Sequence, residues 1–453
     1  MKIVLTDNNI GSENNIYNRN DIADLFPITD IKIEELCKEH KSLLIFPPEI
    51  KHSDDRIGSS YILNILNTTN PDQVRLTTNN IMGFIGIGNL QIKIKSRFDE
   101  GREDYLLHYM LQKVLSFNLF DFKHNNAQED VFDFIMFMFP YYLNNALQQG
   151  IYRAYKNFTH NDSNIRGTIN LNRHIKNNVP FIGNIAYSTR EHSDDNDMTQ
   201  LIRHTIEFIM TKKYGNAILN MNRETINNVK FIVDHTQSYK KSERSIVINK
   251  NLRQRSHPFY TEYMPLQALC IQILRMEEVK YGNNNDDIFG IIFDGAWLWE
   301  EYVNTILKDY GFIHAENKIK KGGIFLFEDI DVNGDKHFSG VRYPDFYKDG
   351  MVLDAKYKRL ANYEKISEVD RNDIHQIITY MNNLNSIKGG FIAPFEHKQT
   401  KVPTSQLRYS KSSISIYGIE ICKNAKSYYE FCNQMQKHET IFINKILEAE
   451  QEM

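Results

Sequence analysis

Two aspartates and a lysine lie close together in one stretch near the carboxyl terminus, RYPDFYKDGMVLDAKYKRL at residues 342–360. Runs of alternating polar and apolar residues flank Asp349-Gly350, and an Asp-Gly pair between such runs predicts a β-hairpin with a two-residue turn. In that register Asp345 stands opposite Asp354 on the neighbouring strand. Like charges at opposed positions are destabilising unless a cation lies between them, so the hairpin predicts a pair of carboxylates that binds a cation.

The lysine of this group is Lys356, which strand alternation places on the same face as Asp354. Carboxylate oxygens are ligands that Mg²⁺ and Mn²⁺ prefer, and these ions commonly bind one or two carboxylates together with phosphate oxygens. Such an ion activates a phosphodiester and a water, while an ammonium stabilises the developing charge. These residue types predict metal-dependent phosphodiester hydrolysis with Asp345, Asp354 and Lys356 as catalytic residues. A surface hairpin with a simple ion pair is the structural alternative.

The pattern Pro344-Asp345 followed by Asp354-Ala355-Lys356 resembles the PD-(D/E)xK nuclease superfamily. The resemblance implies a Mg²⁺ cofactor, for which Mn²⁺ can substitute. It also implies a ligand set that includes the two aspartates and the backbone carbonyl of Ala355.

Two further segments strengthen this resemblance. Gln376 and Tyr380 form a QxxxY element, which on a helix places both side chains on one face. It resembles an element that many RecB-like superfamily members carry beside the active site, so these residues are expected to support catalysis. Upstream, WLWEEYV at 297–303 opens a helix, and the resemblance implies a metal-proximal glutamate there. Glu300 is our choice, with Glu301 as the open alternative.

Over most of its length the chain resembles the McrC family, the nuclease subunits of modification-dependent McrBC restriction systems. Arg166-Gly167 match the family's Arg-Gly pair, which is also compatible with a purely structural role. The sequence departs from the family at Lys95-Ser96-Arg97, where relatives tend to have Pro-Lys; this concerns the amino-terminal domain and not the nuclease assignment. The matching segments are GFIGIGNLQIKIK (83–95), RGTINLNRHI (166–175), WLWEEYV (297–303), LDAKYK (353–358) and NDIHQIITY (372–380).

The resemblance implies a DNA endonuclease of anti-phage defence that works with a McrB-like AAA+ GTPase, which recognises DNA and translocates it. The sequence contains no G-x-x-x-x-G-K-[ST] loop, so the chain does not supply the motor itself. We therefore expect DNA and a McrB-like AAA+ GTPase as partners, with no nucleotide bound by this chain.

Two other functions stay open on the sequence. An autonomous RecB-like repair nuclease would cleave DNA with Mg²⁺ and no partner. A non-catalytic adaptor would stimulate a partner's GTPase and keep the nuclease fold only as a scaffold, although the intact Asp345, Asp354 and Lys356 argue against it.

Composition describes an ordinary folded protein. The 453 residues are 41% hydrophobic and 25% charged, with a net charge of −3, so any contact with nucleic acid must come from local patches. No apolar stretch is long enough to span a membrane and no signal peptide is evident, which predicts a cytoplasmic location. We expect reduced core thiols, because no zinc-type spacing occurs among the cysteines, which are Cys37, Cys270, Cys422 and Cys432.

Chain length predicts two or three domains, and the expected class is a multidomain α+β fold. Residues 1–118 are expected to form a strand-rich domain for partner docking, residues 119–282 a mainly helical middle domain, and residues 283–453 the α/β PD-(D/E)xK nuclease domain. In the first domain, LQIKIK at 90–95 alternates as a strand does, and the preceding GFIGIG predicts a tight turn. The run YGNNNDD at 281–287 is the expected linker.

A basic cluster lies between residues 239 and 255, where six Lys and Arg residues accompany a single Glu. It predicts either a phosphate-binding surface or a solvated loop. Our candidate DNA contacts are Lys240, Lys241, Arg253, Arg255 and Lys358.

Overall fold

A computed structural model describes residues 2–10, 15–40, 43–47, 57–87, 90–99, 104–115, 136–212, 215–253, 258–280, 288–315, 322–330 and 335–451. The chain forms two compact units. One comprises Met1–Asp121 together with Asn285–Met453, and the other is Phe122–Asn284. Helices and sheets occur in both, which makes the protein a mixed α and β fold. None of the described helices is both long and apolar enough to cross a membrane.

The amino-terminal part of the first unit is rich in strands, as the sequence predicts. Its short β2, β4 and β5 form one antiparallel sheet, while β1, β7, β6 and β3 belong to a second sheet. The elements are β1 (Lys2–Thr6), β2 (Ile16–Asn18), α1 (Ile33–Glu39), β3 (Leu43–Phe46), β4 (Leu63–Asn67), β5 (Gln73–Thr78), β6 (Ile81–Ile87), β7 (Leu90–Lys95) and α2 (Tyr105–Leu115).

The predicted strand at 90–95 is confirmed as β7, whose Leu90, Ile92 and Ile94 are buried. Residues 83–87 of GFIGIG belong to strand β6 and do not form the predicted turn, while Gly88, which precedes β7, lies outside the described residues. Close packing of two strands explains why a glycine occurs in this strand at position 83. A Cβ added to Gly83 would stand 2.1 Å from the carbonyl oxygen of Ile291. Only glycine allows the two backbones to approach this closely.

The second unit is mainly helical, and it also contains a three-stranded antiparallel sheet in the order β8, β10, β9. Asn196 caps helix α5 by accepting hydrogen bonds from the backbone of Met198 and Thr199. The sequence of residues 186–210 predicts a helix capped by Asp195 or Asp197, and the structure corrects this by one residue. The elements are α3 (Phe139–Gln148), β8 (Ala154–Asp162), β9 (Thr168–Ile169), α4 (Leu171–Asn177), β10 (Ile185–Ser193), α5 (Asp197–Met210), α6 (Gly215–Leu219), α7 (Arg223–His235), α8 (Arg244–Asn251) and α9 (Tyr263–Lys280).

The carboxy-terminal part of the first unit contains the predicted hairpin and QxxxY helix. Across the two units of the chain, short 3₁₀ helices occur at Ala23–Ile28, Ile57–Ser59, Lys241–Glu243, Lys308–Tyr310 and Ile366–Glu368. The carboxy-terminal elements are β11 (Ile288–Asp294), α10 (Gly295–Leu307), β12 (Ile313–His314), β13 (Ile324–Ile330), β14 (Lys336–Arg342), β15 (Phe346–Lys348), β16 (Met351–Ala355), α11 (Arg371–Asn383), β17 (Lys388–Phe395), β18 (Thr404–Gln406), β19 (Ser413–Glu420) and α12 (Tyr428–Gln451).

Strand β11 lies where we placed the start of the last domain, but it pairs in the amino-terminal sheet. It runs antiparallel to β6 and parallel to β3, which completes the order β1-β7-β6-β11-β3. Ile288, Ile291, Ile292 and Phe293 are buried, and a continuous apolar run of this kind is typical of a strand covered on both faces. The first and last predicted domains therefore share a sheet and one compact unit. The predicted linker at 281–287 lies outside the described residues.

A six-stranded sheet forms the centre of the carboxy-terminal part, in the order β12-β15-β16-β17-β19-β18. Strands β16, β17 and β19 are parallel, while the flanking pairs are antiparallel. Helices α10 and α11 pack on β16, and α12 packs on β19. Because β16 is central and almost fully buried, charged residues at its end are held in a rigid, dry setting.

Candidate active site

The hairpin of β15 and β16 has the register that the sequence predicts. Phe346 pairs with Leu353, Tyr347 with Val352, and Lys348 with Met351. Gly350 takes a positive φ of 79° in the turn, which is the backbone conformation that an Asp-Gly turn requires. Continued by one residue, this register brings Asp345 and Asp354 to the same end of the hairpin.

The two aspartates converge on the end of β16. The backbone N–H of Ala355 donates a hydrogen bond to Asp345 Oδ2 at 2.7 Å. Asp354 is 1% exposed, and its Oδ1 has no hydrogen-bond partner among the described residues. A buried carboxylate oxygen without a partner is costly, so it is a site for a cation or for water.

Lys356 reaches the same place from the end of the strand. Its Nζ lies 2.7 Å from Asp354 Oδ2, 3.2 Å from Gln376 Oε1 and 3.4 Å from Asp373 Oδ1. Burial lowers the pKa of Lys356, but the charges of Asp354 and Asp345 outweigh burial and raise it above the ordinary lysine value. The ammonium therefore stays protonated at neutral pH.

Both aspartates are harder to ionise than an exposed aspartate. Burial of the carboxyl group raises the pKa of Asp345 well above its ordinary value, and the negative charges of Asp354 and Glu300 raise it further. Burial also raises the pKa of Asp354, although Lys356 opposes this. Carboxylates that repel each other in this way favour binding of a cation in addition to the Lys356 ammonium.

The QxxxY element lies beside these groups on α11. Gln376 Nε2 donates to Tyr380 Oη at 3.0 Å, while its carbonyl oxygen accepts from Lys356. Burial raises the pKa of Tyr380, so its hydroxyl stays neutral. The structure thus brings Gln376 to the lysine, and Tyr380 to Gln376.

Asp373 is a site residue that the sequence analysis missed. It is buried and bridges the Lys356 ammonium and Lys358, whose Nζ lies 2.5 Å from Asp373 Oδ2. Its only sequence signal is its position three residues before Gln376, which places both on one face of α11. The candidate DNA contact Lys358 is therefore already held in an ion pair, with half of its side chain exposed.

A second missed residue, His314, connects β12 to helix α10. Its Nδ1 hydrogen bonds with the carbonyl oxygen of Asp345 at 2.8 Å, and its Nε2 lies 3.6 Å from Glu301 and 3.8 Å from Glu300. Burial lowers the pKa of His314, but Glu301 and Asp345 outweigh it and raise the pKa overall. Glu301 thus acts mainly on His314, whereas the charge of Glu300 acts on Asp345.

The donor set fits Mg²⁺. In the described part of the chain no three His, Cys, Asp or Glu side chains form a ready-made metal site. Two neighbouring carboxylates, of which Asp354 is buried and has an oxygen without a hydrogen-bond partner among the described residues, match an ion that keeps waters and takes substrate phosphate oxygens as further ligands. Asp345 and Asp354 would hold the ion, with the Ala355 carbonyl and Glu300 as the further candidates.

The basic cluster of the second unit is helical, so its interpretation as a solvated loop is wrong. Lys241 lies in a 3₁₀ turn, and α8 follows. Lys240 pairs with Glu243 at 3.2 Å on the surface, and Arg253 is exposed. Arg255 lies outside the described residues. These side chains stay candidate DNA contacts on the basis of their positive charge alone.

We expect Asp345→Asn to stabilise the metal-free protein at neutral pH. The pKa of Asp345 is raised on folding, so the folded form binds more protons, and stability is lost as pH rises above the ordinary aspartate value. Asparagine keeps an acceptor for the Ala355 N–H and removes the charge. Thermal unfolding in EDTA between pH 5 and 8 should show a gain that grows with pH. Adding Mg²⁺ should stabilise the wild type and not the variant; the reverse order would contradict the metal assignment.

Two solved structures are similar to this chain. One, a refined half-complex from a tetradecameric assembly of Thermococcus gammatolerans McrB AAA+ hexamers with bound McrC, matches with 13% identity and a TM-score of 0.46, covering 96% of this chain and 100% of that chain. A second structure, the Thermococcus gammatolerans McrBC complex, matches with 15% identity and a TM-score of 0.28, covering 68% and 87%. No curated protein matches the chain.

The sequence profile of the family described as McrBC 5-methylcytosine restriction system component matches residues 76–394. This range includes β6 and β7, the whole second unit, the hairpin, and helix α11. The match covers well over half of the chain and confirms the family expected from the resemblance above. The chain belongs to the McrBC 5-methylcytosine restriction system component family.

Proposed function

We propose that this chain is the DNA endonuclease subunit of a McrBC-type restriction system, in which a partner AAA+ GTPase translocates DNA. The observation that carries the proposal is the cluster of Asp345, buried Asp354 and Lys356 at the end of one central strand. Membership of the restriction-system family supports the same conclusion. We further propose that the carboxy-terminal part is a PD-(D/E)xK nuclease domain.

The residues of the site have separate tasks in phosphodiester hydrolysis. Bound Mg²⁺ supplies polarisation of the phosphate and a water of lowered pKa. Asp345 and Asp354 would hold the ion. The Lys356 ammonium, which Gln376 and Asp373 orient, stabilises negative charge on the phosphate oxygens in the transition state. Its raised pKa keeps this charge in place at neutral pH.

An exposed apolar cluster in the second unit supports a protein partner. It lies between β8 and β10, where large apolar side chains are exposed instead of buried. Surfaces of this kind mark interaction sites. In the described part of residues 1–118, exposed large apolar side chains are separated along the chain. We therefore propose that the partner docks on the second unit and not on residues 1–118, where the sequence predicts docking. The proposed surface comprises Ile165, Ile169, Leu171, Ile175, Val179, Phe181 and Ile182.

Ile175→Asp and Phe181→Asp are expected to weaken binding of the AAA+ partner by at least about tenfold, since a buried interface anchor contributes roughly 2 kcal/mol or more. Both residues are more than half exposed, so folding should be unaffected. Calorimetric titration with the purified partner measures the change. Ile330→Asp is the matched control, because it alters an equally exposed isoleucine in the other unit. Equal affinities for all three variants and the wild type would show that Ile175 and Phe181 are not part of the docking surface.

Cleavage of a 5-methylcytosine-containing plasmid in Mg²⁺ tests the proposed function. Wild type and Asp354→Ala are each assayed with and without the AAA+ partner and GTP. Cleavage by wild type only when partner and GTP are present supports the proposal. Cleavage without the partner would instead identify an autonomous nuclease, and stimulation of partner GTPase without any cleavage would identify an adaptor.

A further inference from the structure

Tyr357, which directly follows Lys356, is buried against the amino-terminal sheet. Its hydroxyl lies 2.6 Å from Ser96 Oγ and 3.5 Å from Met82 Sδ. Its ring meets Phe98 edge-on with 5.0 Å between ring centroids. The residue next to the catalytic lysine is therefore anchored in a part of the chain some 260 residues away.

Arg97 is the centre of this anchor. Its Nη2 donates a hydrogen bond to the carbonyl oxygen of Tyr357, and its guanidinium lies 4.5 Å from the centroid of the Tyr357 ring. Its Nη1 pairs with Asp7 Oδ2 at 2.8 Å and donates to Asn80 Oδ1 at 3.1 Å. The Arg97 side chain is 11% exposed and that of Asp7 is fully buried, so the guanidinium has one fixed position.

The backbone of Lys356 is held on both sides by these contacts. Its N–H donates to the carbonyl oxygen of Ile392 in β17 at 2.8 Å, and Trp299 donates to the same oxygen at 3.1 Å. Beyond this point the chain leaves the sheet. The carbonyl of Lys356 accepts from the N–H of Lys358, and the carbonyl of the following residue, Tyr357, is the one that Arg97 binds.

We infer that Arg97 is a positioning residue for Lys356: by binding the Tyr357 carbonyl and ring, it holds the strand end so that the lysine ammonium stays beside Asp354. The inference deepens the proposed function, on which its kinetic test rests. A lysine could keep the pair with Asp7 but has no planar fork to bind Tyr357 at the same time. The role thus belongs to arginine.

Competitive acylation of lysines tests this inference without any nuclease assay. Lys356 is buried and ion-paired, so it should react slowly in the wild type. In Arg97→Ala we expect its labelling rate, read by mass spectrometry, to rise at least about fivefold, the change that follows from losing about 1 kcal/mol of interaction. The exposed Lys336 is the internal standard. Arg408→Ala is the matched control, because it removes an arginine that lies over Tyr409 on the surface.

Single-turnover cleavage by the full chain with its partner gives the second readout. Arg97→Ala should lower the rate at saturating DNA by about a hundredfold, the loss expected from misplacing a catalytic group by about 1 Å, while KM stays unchanged. Arg97→Lys should recover only part of the rate. A change in KM alone, or full recovery by lysine, would overturn the positioning role.

Loss of Arg97 leaves the buried Asp7 carboxylate without its partner, and the single variant can fail to fold for that reason. The double variant Arg97→Met, Asp7→Asn removes both charges and still breaks the bond to Tyr357. Faster Lys356 labelling in this folded variant supports the inference. Unchanged labelling, or an equal rise in Arg408→Ala, overturns it. If wild type cleaves no DNA, the proposed nuclease function fails, while the labelling result still decides the role of Arg97.

Discussion

Asp354→Asn should lower partner-dependent DNA cleavage by at least about a thousandfold, because it removes the charge of a proposed metal ligand and would weaken metal-assisted transition-state stabilisation. The substitution keeps the shape of the side chain. Asp354 is almost fully buried, and its carboxyl pKa is raised by burial, so the neutral amide is compatible with the fold. Cleavage rates of supercoiled plasmid in Mg²⁺ and Mn²⁺ provide the measurement.

Asp349→Asn provides the matched control for this prediction. Asp349 belongs to the same hairpin, lies in its turn, and is exposed. The control should cleave DNA at the wild-type rate and bind Mg²⁺ with wild-type affinity in calorimetry. Partner affinity should be the same for both variants, since the change is local. An Asp354→Asn protein that cuts at the normal rate would show that the cluster is not the active site.

Lys356→Ala is expected to abolish cleavage and also to cost about 3 kcal/mol of folding free energy without metal, as removing one partner of a buried ion pair does. Its ammonium contacts Asp354, Asp373 and Gln376. Without it, the carboxylates at the end of β16 face each other uncompensated. Urea unfolding in EDTA measures the loss. Mg²⁺ should restore part of the stability and none of the activity.

Lys358→Ala separates the two lysines that share Asp373. Half of the Lys358 side chain is exposed, so its loss should cost no more than about 1 kcal/mol, as for a surface pair. Activity should fall only where DNA binding limits the rate. If Lys358→Ala destabilised the protein as much as Lys356→Ala, the central place of Lys356 in the charge network would be wrong.

The sequence determined the hairpin, its register and the charges that it carries. Turn chemistry at Asp349-Gly350 and the antiparallel pairing of residues 346–348 with 351–353 are local properties, and they act on residues a few positions apart. The same holds for strand β7 and for the shared face of Gln376 and Tyr380 on α11. Local patterns of this type predict the folded structure correctly because the conformation that each one favours within its own segment agrees with the fold.

The tertiary structure decided what surrounds those charges. Asp373 and His314 become site residues only when α11 and β12 pack beside the hairpin. Strand β11 was expected in the last domain but pairs in the amino-terminal sheet. An apolar run predicts a buried strand, but it does not predict which strands will pair with it. Arg97 binds Tyr357 across 260 residues of sequence. Residue spacing cannot predict such contacts, because the distance in space between two segments far apart in the sequence does not follow from their separation along the chain.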